Sequence, residues 1–270
     1  LVKDVLMSQL DLATDETDSK LVQSTFLQIP PPNPDWKPGD KQPPPFNTPT
    51  MVTIDPAAVN KYNLMISAYT PRPIALCSTV SPEGVVNVAP FSYTGLVIHD
   101  PPTVMVTVCR QRGAKPTKDT HDNIISSGEF VVNTINEWFV NAANHTCMAC
   151  PPEEDEMSMA GLTPVASTKV KAPRVGESAV QMECTLTSAT DLVNDSGAVT
   201  GTMFLGKVVA IHVYEALLDL SKGADSPQVK FDGYQPISRL GGNTYARTTE
   251  TFDMPRPPYI PSAATANGEK

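Results

Sequence analysis

Residues 71–123 read PRPIALCSTVSPEGVVNVAPFSYTGLVIHDPPTVMVTVCRQRGAKPTKDTHDN, and apolar, β-rich runs alternate there with short turns. Two such runs, 74–80 and 85–91, flank the residues Ser-Pro-Glu-Gly at 81–84. Proline second and glycine fourth is the pattern that a type I turn prefers. We therefore predict a β-hairpin over residues 74–91.

Further strand-like runs follow along the chain. We predict strands at 94–98, 103–109, 129–135, 178–190 and 201–214. A short strand and then a helix are predicted around the capping pair Asp55-Pro56, and further helices from Lys118 and over residues 137–148. Short strands at this spacing, with few helices, favour a mainly antiparallel β-barrel over a doubly wound α/β sheet.

The composition limits which kinds of partner, and which cellular compartment, we expect for the protein. The 270 residues suit one large domain, or one domain with extensions. The net charge of −9 disfavours a general nucleic-acid binder, which would be basic. No apolar run is long enough to predict a membrane-spanning helix. Five cysteines, without a signal-peptide pattern at the start of the sequence, favour reduced thiols in a cytoplasmic protein.

A proline-rich segment precedes the strands. Residues 30–49 read PPPNPDWKPGDKQPPPFNTP, which predicts an extended, polyproline-like arm. The arm is either a linker or a segment that lies across the domain or a partner subunit through Trp36 and Phe46. We predict an N-terminal extension over 1–50, the main domain over 51–256 and a C-terminal tail over 257–270.

Basic residues cluster at the end of the opening stretch. Arg110, Arg112, Lys115 and Lys118 lie within nine residues, and Lys118-Asp119-Thr120 opens a predicted helix. A helix N-terminus has unpaired N–H groups and a positive dipole end, so basic and hydroxyl side chains beside it form a phosphate site. The alternative is a solvated basic loop before an ordinary helix.

Polar side chains also interrupt the two strands of the predicted hairpin. Ser78 and Thr79 lie in the first strand, and Asn87 and Ser92 lie in or after the second. Pro90 lacks an N–H group and would interrupt the ladder, which frees neighbouring backbone groups to bind the edge of a flat heteroaromatic ring. The alternative is an edge strand with a bulge.

Four segments together resemble the flavin reductase-like family of FMN-binding split-barrel proteins, which includes flavoredoxin. They read PRPIALCSTVSPEGVVNVAPFSY, KDTHDNI, SGEFVVN and SRLGGNTYAR, in that order. The resemblance implies a six-stranded antiparallel split β-barrel with a few peripheral helices, dimeric, with flavin near the subunit interface. It implies a cofactor site formed by Ser78, Thr79, Asn87, Ala89, Pro90, Ser92, Arg110, Lys118, Asp119 and Thr120.

Tyr245, in the last of these segments, is a further candidate, because it could cover the flavin ring from a partner subunit; core packing is its alternative role. Many short members of the family have a Gly-Asp-His before the strand that corresponds to 202–210. Here the region reads VTGTMFLG, without the histidine, which puts rapid NAD(P)H-driven release of free reduced flavin in doubt.

The function that the resemblance implies is an FMN-dependent oxidoreductase, with hydride transfer from NAD(P)H to flavin or flavin chemistry on a small organic substrate. No catalytic side chain is assigned, because the flavin carries the redox chemistry. The alternative is a non-catalytic flavin-binding storage, sensor or interaction module on the same barrel. A weaker option is a barrel that binds haem or no cofactor.

Cys147 and Cys150 form a Cys-x-x-Cys pair, but no second pair of ligands lies at the spacing of a zinc site. The pair ends a predicted helix, whereas a redox dithiol usually begins one. We therefore predict neither a metal site nor a dithiol centre.

Overall fold

The structure, a computed structural model, describes residues 26–42, 44–46, 50–111 and 115–259. Its contacts divide the chain into two compact units. Of the described residues, the first unit comprises 54–111 and 115–248, and the second comprises 26–42, 44–46, 50–53 and 249–259. Arg112 of the basic cluster, residues 1–25 of the predicted extension and residues 260–270 of the predicted tail lie outside the described residues.

One antiparallel sheet of seven strands dominates the described part of the first unit. Its strands are β1 (Ala75–Val80), β2 (Val86–Phe91), β3 (Thr94–His99), β4 (Pro102–Cys109), β5 (Glu129–Thr134), β6 (Val180–Val193) and β7 (Val199–Val213). Their order across the sheet is β2-β1-β5-β6-β7-β4-β3. The count is one more than the resemblance implies, and it equals the number of strand-like runs predicted from residue 74 onward.

The predicted hairpin over residues 74–91 is present. β1 pairs with β2 from Ala75 opposite Phe91 to Val80 opposite Val86, and the turn closes with a hydrogen bond from Gly84 N to Ser81 O. β6 and β7 pair along nearly their whole lengths, with three register shifts. β2 is an edge strand, as the alternative interpretation of Pro90 predicts, although its ladder with β1 is regular and has no bulge.

Both faces of β1 are buried, because successive side chains of a strand point to opposite faces. Ala75 and Cys77 belong to a core cluster with residues of β4, β5 and β7. Ile74 and Leu76 belong to a second cluster, which lies against the segments that follow β5. This burial explains why residues 74–77 are continuously apolar rather than alternating.

The first cluster requires a glycine at its centre. A Cβ atom on Gly206 would lie 2.3 Å from Cζ of Phe130 and 3.1 Å from Cβ of Cys184. Phe130 is fully buried there. The missing side chain therefore lets the ring of one strand pack directly on the backbone of another.

Four α-helices are described: α1 (Lys61–Ala68), α2 (Asp119–Ser127), α3 (Val140–His145) and α4 (Glu156–Met159). Short 3₁₀ helices are at Glu137–Phe139 and Glu215–Leu217. Two-stranded ladders pair Pro164–Val165 with Arg174–Val175, Leu218–Asp219 with Gln228–Val229, and Ile237–Arg239 with Tyr245–Arg247. We call the last ladder, residues 237–247, the C-terminal hairpin.

One strand prediction and two helix predictions need correction. Residues 51–54 form no strand, and Asp55 does not cap a helix, because its carboxylate accepts a hydrogen bond from Ala57 N in a local turn. Asn60 caps α1 instead, by accepting from Tyr62 N. The helix predicted over 137–148 is a 3₁₀ turn followed by the short α3, while the prediction that a helix starts at Lys118 is confirmed.

The described part of the second unit has little regular structure. Leu27–Gln28 pairs in parallel with Glu250–Thr251. The proline-rich segment has no helix in its described residues, and the Trp36 indole donates to the carbonyl of Asp40. Among the described residues of the whole chain, no helix has the length and hydropathy needed to cross a membrane.

Candidate functional site

A cavity in the first unit is formed by α1, the ends of β2 and β4, the start of α2 and the C-terminal hairpin. Its described lining residues are Tyr62, Ile66, Arg72, Ile74, Pro90, Phe91, Ser92, Tyr93, Thr107, Cys109, Lys118, Cys147, Arg239, Gly242 and Tyr245. Four of the predicted site residues are among them, namely Pro90, Ser92, Lys118 and Tyr245. The structure thus brings together residues from the beginning, middle and end of the unit.

The lining of this cavity is cationic and aromatic. It contains Arg72, Lys118 and Arg239, while none of the described lining residues is an aspartate or a glutamate. This composition is notable in a chain with a net charge of −9. Four aromatic rings, of Tyr62, Phe91, Tyr93 and Tyr245, complete the wall. A planar ring system that carries a phosphate fits these groups. We call this space the cationic cavity.

Lys118 links the cavity to the start of α2. It is the N-cap residue of that helix, has extended backbone dihedral angles, and its side chain is exposed. Its Nζ lies 5.9 Å from the centroid of the Phe91 ring. The first N–H groups of a helix have no partner within the helix and lie at its positive end. The ammonium group and the helix end therefore present positive potential at one place.

A buried hydrogen-bond network holds the start of α2 against the first hairpin. The Asn87 amide donates to Thr79 Oγ1 (3.2 Å) and to Thr120 Oγ1 (2.9 Å). Asn123, one turn further along α2, donates to Thr79 Oγ1 at 3.1 Å. All four side chains are buried. Thr79, Asn87 and Thr120 thus fix the position of the helix and do not line the cationic cavity.

Other predicted site residues also lie elsewhere. Ser78 is buried; its hydroxyl donates to the Pro173 carbonyl and accepts from Asn133. Ala89 packs against the first core cluster. The Arg110 guanidinium contacts Asp191 (3.2 Å) and Thr202 (3.1 Å) across the sheet, so its charge already has a carboxylate partner.

Asp119 lines a second cleft. The described residues of this cleft include the carboxylates of Glu83, Asp119, Asp122, Glu154 and Glu156, with Lys115 as the sole cation. Lys115 is already paired, since its Nζ lies 2.5 Å from Asp119 and 3.1 Å from Asp122. Repulsion by these carboxylates makes this acidic cleft a poor site for a phosphate. The two openings therefore differ in the sign of the charge that they accept.

The C-terminal hairpin contributes three residues to the cationic cavity, namely Arg239, Gly242 and Tyr245. The backbones of Arg239 and Arg72 exchange hydrogen bonds of 2.9 Å, which dock the hairpin beside the end of α1. The Arg239 guanidinium lies over the Tyr245 ring, 4.3 Å from Cζ to the centroid. The Tyr245 hydroxyl donates to Asn144 at 2.8 Å. Burial raises the pKa of Tyr245, so the hydroxyl stays neutral.

Arg72 is committed to the protein itself. It is 5% exposed, and its guanidinium donates to the carbonyls of Ile66 and Tyr69 at the end of α1. A cation at the C-terminus of a helix satisfies the last carbonyls and the negative dipole end. Its Nε also reaches Ser92 Oγ at 3.4 Å. Arg72 thus orients one predicted site residue while it caps α1.

Two thiols line the cationic cavity and remain neutral. Desolvation raises the pKa of both Cys109 and Cys147, although the nearby Lys118 acts in the opposite direction on each, as Arg239 does on Cys147. Cys150, the second member of the Cys-x-x-Cys pair, donates to Glu156 at 3.1 Å, and desolvation raises its pKa to about 11. None of these thiols is activated as a nucleophile. No cluster of three or more metal-ligating side chains occurs among the described residues.

Several lining residues were not predicted from the sequence. Arg72 and Arg239 lie inside segments quoted for the resemblance, yet only their neighbours were selected as candidates. The available signal for Arg239 was its place in the same short segment as Tyr245. Tyr62 and Cys147 had none, because they reach the cavity only through the packing of α1 and the segment after α3.

Comparison with known proteins agrees with the fold. A family model described as the flavin reductase like domain matches residues 67–224. The structure of nitrilotriacetate monooxygenase component B from Bacillus cereus is 37% identical, with a TM-score of 0.71 over 77% of this chain and 100% of that one. That of the 2-nitrobenzoate 2-nitroreductase NbaA from Pseudomonas fluorescens is 30% identical, with a TM-score of 0.68 over 78% and 100%.

A protein with a split barrel domain from Shewanella frigidimarina is 19% identical, with a TM-score of 0.60 over 74% of this chain and 92% of that one, and shows the fold alone. The fold and the cationic cavity therefore define a split-barrel protein with a cavity lined by cationic and aromatic side chains. The chain belongs to the flavin reductase like family, which is a family of flavin-binding proteins.

Proposed function

We propose that the chain is an FMN-dependent oxidoreductase that holds the flavin in the cationic cavity and takes hydride from NAD(P)H. The contrast between the two openings carries the proposal: the cavity combines aromatic rings with cations and has no carboxylate among its described lining residues, whereas the other cleft is acidic. A bound flavin would supply the redox chemistry itself. The protein then has to bind the phosphate, orient the ring and leave one ring face accessible.

Four of the lining residues have distinct tasks in this proposal. Lys118 and the N-terminal N–H groups of α2 bind the phosphate. Ser92 and the backbone beside Pro90 provide donors and acceptors at the ring edge, since β2 is an edge strand. Tyr245 packs on the ring. No proton donor among the side chains is required.

The remaining predicted contacts have a supporting task here. Thr79, Asn87 and Thr120 hold α2 in place through their buried network. Direct contact with flavin stays a prediction for these residues and for the others that do not line the cavity, namely Ser78, Ala89, Arg110 and Asp119.

Two reactions are compatible with the proposal. The 37% identity to a monooxygenase component B supports a reductase that works beside a partner oxygenase. The 30% identity to a 2-nitrobenzoate 2-nitroreductase supports flavin chemistry on a small organic substrate. We favour the second, because the segment VTGTMFLG, which forms part of β7, lacks the histidine that short reductases have.

We also propose a homodimer, which the resemblance implies. The edge strand β3 supports it, because Leu96, Val97 and Ile98 expose 75%, 49% and 46% of their surface in the single chain. A row of exposed apolar residues on an unpaired strand edge is otherwise a liability for aggregation. The cytoplasm is the proposed compartment, on the grounds of cysteine usage.

The direct test is to purify the protein and measure its visible flavin absorption, with mass spectrometry to distinguish bound FMN from FAD. NAD(P)H oxidation in the presence of FMN then separates an enzyme from a non-catalytic flavin-binding module. A protein that binds FMN but does not oxidise NADH or NADPH would favour the module. A protein that binds neither flavin would refute the proposal.

A further inference from the structure

The cationic cavity contains a third cationic group, Arg239, that the phosphate site does not require. Lys118 lies at the start of α2, and the Arg72 guanidinium already donates hydrogen bonds to the carbonyls at the end of α1. Arg239 comes from a separate element, the C-terminal hairpin. Arg239 is therefore available to bind a ligand group other than the flavin phosphate.

Arg239 is held in one orientation and has no counter-ion among the described residues. Its guanidinium lies over the Tyr245 ring at 4.3 Å and donates a hydrogen bond of 2.6 Å to the Gly242 carbonyl. A guanidinium has five N–H donors. Arg239 makes no ion pair with any described aspartate or glutamate, although Arg110, Arg174 and Arg247 each do. A stacked, oriented guanidinium with free donors is a receptor for a planar anion such as a carboxylate.

The surroundings favour an aromatic ligand. Tyr62, Tyr93 and Tyr245 line the same cavity, and more than half of the Tyr62 surface is exposed. A neutral substrate would leave the Arg239 charge in a partly desolvated cavity without a counter-ion, which is unfavourable. An aromatic acid would satisfy both the rings and the charge.

We propose that Arg239 binds the carboxylate of the second substrate, and that the substrate class is therefore aromatic carboxylic acids rather than neutral aromatics. This inference rests on the proposed function, since it assigns a ligand to the space beside the flavin. Arg239 is a specificity residue in this account and takes no part in the transfer of hydride.

The test uses benzoate and its neutral isostere benzamide as probes. The FMN-loaded protein is titrated with each, and binding is followed by the change in the visible flavin spectrum. Benzoate should bind at least about tenfold more tightly than benzamide, since a hydrogen-bonded charge pair contributes about 1.5–3 kcal/mol. This comparison needs no variant and does not depend on how a substitution affects folding.

A matched pair of variants assigns the effect to the residue. Arg239→Gln should weaken benzoate binding by about tenfold or more and leave benzamide and FMN affinities within about twofold. Arg247→Gln is the control, because Arg247 lies on the partner strand of the same hairpin and pairs with Glu137 outside the cavity. It should leave all three affinities unchanged.

Four outcomes would overturn the inference. The first three are equal affinities for benzoate and benzamide, wild-type benzoate binding by Arg239→Gln, and loss of FMN binding in Arg239→Gln, which would assign Arg239 to the flavin phosphate. A shift in the KM for NADH with unchanged benzoate binding would equally assign it to the nicotinamide cofactor. Failure of the wild-type protein to bind FMN is a separate result, and it would refute the proposed function.

Discussion

The side-chain amide of Asn87 donates a 2.9 Å hydrogen bond to the hydroxyl of Thr120, and both residues are buried. This contact joins the edge strand β2 to the first turn of α2. Because Lys118 is the N-cap of the same helix, the contact also sets the position of the cation at the cavity. The polar network is thus a support for the site rather than part of its wall.

Replacing Asn87 with alanine should destabilise the fold by about 1–3 kcal/mol, because the Thr120 hydroxyl loses a buried partner. Thr79 keeps its bond from Asn123, so the loss is local. FMN affinity should fall as the helix start loosens. Urea unfolding and FMN titration measure the two effects. Unchanged stability would contradict the assignment of a supporting role.

Glu183 should give the protein a distinct acid sensitivity. Burial alone would raise its pKa, but the backbone N–H groups of Thr168 and Lys169 and the His212 imidazole, 2.6 Å away, lower it to about 2. A carboxylate whose pKa is lowered by folding stabilises the protein above its unfolded pKa and loses this contribution as pH falls.

The contribution of Glu183 should therefore be complete at neutral pH and disappear between about pH 5 and about pH 2, with a total of about 3 kcal/mol. The free energy of unfolding of the wild type and of Glu183→Gln, measured in urea across this range, checks it. The difference in unfolding free energy between the wild type and Glu183→Gln should become smaller as pH falls. A gap of constant size would show that the ionised carboxylate is not what stabilises the 168–170 loop.

Gly206→Ala should disrupt the first core cluster. The new methyl group would lie 2.3 Å from Phe130 Cζ, so the ring or the strand must move. We expect a loss of about 1–3 kcal/mol. Gly95→Ala is the control, since its Cβ would have no neighbour within 4 Å, and it should change stability by about 0.5 kcal/mol or less. Equal melting temperatures for the two variants would argue against this packing.

Much of the barrel could be predicted because its determinants are local. The Ser-Pro-Glu-Gly turn and the runs beside it are sufficient to predict the β1–β2 hairpin. The two long strands β6 and β7 follow from sustained β-rich sequence. The start of α1 was mispredicted, because Asp55 and Asn60 are both good capping residues and local sequence does not choose between them.

The site could be predicted only in part, because it depends on distant contacts. Thr79 and Asn87 have the chemistry of ligand contacts, and only the packing of α2 shows that they bond to one another and to Thr120. Arg110 looks like a phosphate partner until its pairing with Asp191, 81 residues away, is seen. Arg72 and Arg239 meet through backbone hydrogen bonds between segments at opposite ends of the unit.

The proposed dimer should depend on the exposed edge of β3. Leu96→Asp should convert the dimer to a monomer, because a charge in a buried interface without a partner is unfavourable. Light scattering gives the mass in solution. Met159→Asp is the control, since Met159 is an exposed methionine of α4 on a different element. A monomeric wild type, or a Leu96→Asp variant that is still a dimer, would show that β3 does not form the interface.

The central claim is that the cationic cavity binds the phosphate of FMN through Lys118. It is tested by titrating the wild type, Lys118→Ala and Lys115→Ala with FMN and following flavin fluorescence. Lys115 is the matched control, because it lies three residues earlier and pairs with Asp119 and Asp122 in the acidic cleft. We expect Lys118→Ala to weaken FMN binding by about tenfold or more and Lys115→Ala by less than about twofold. Equal affinities for the three proteins, or a larger loss in Lys115→Ala, would contradict the account.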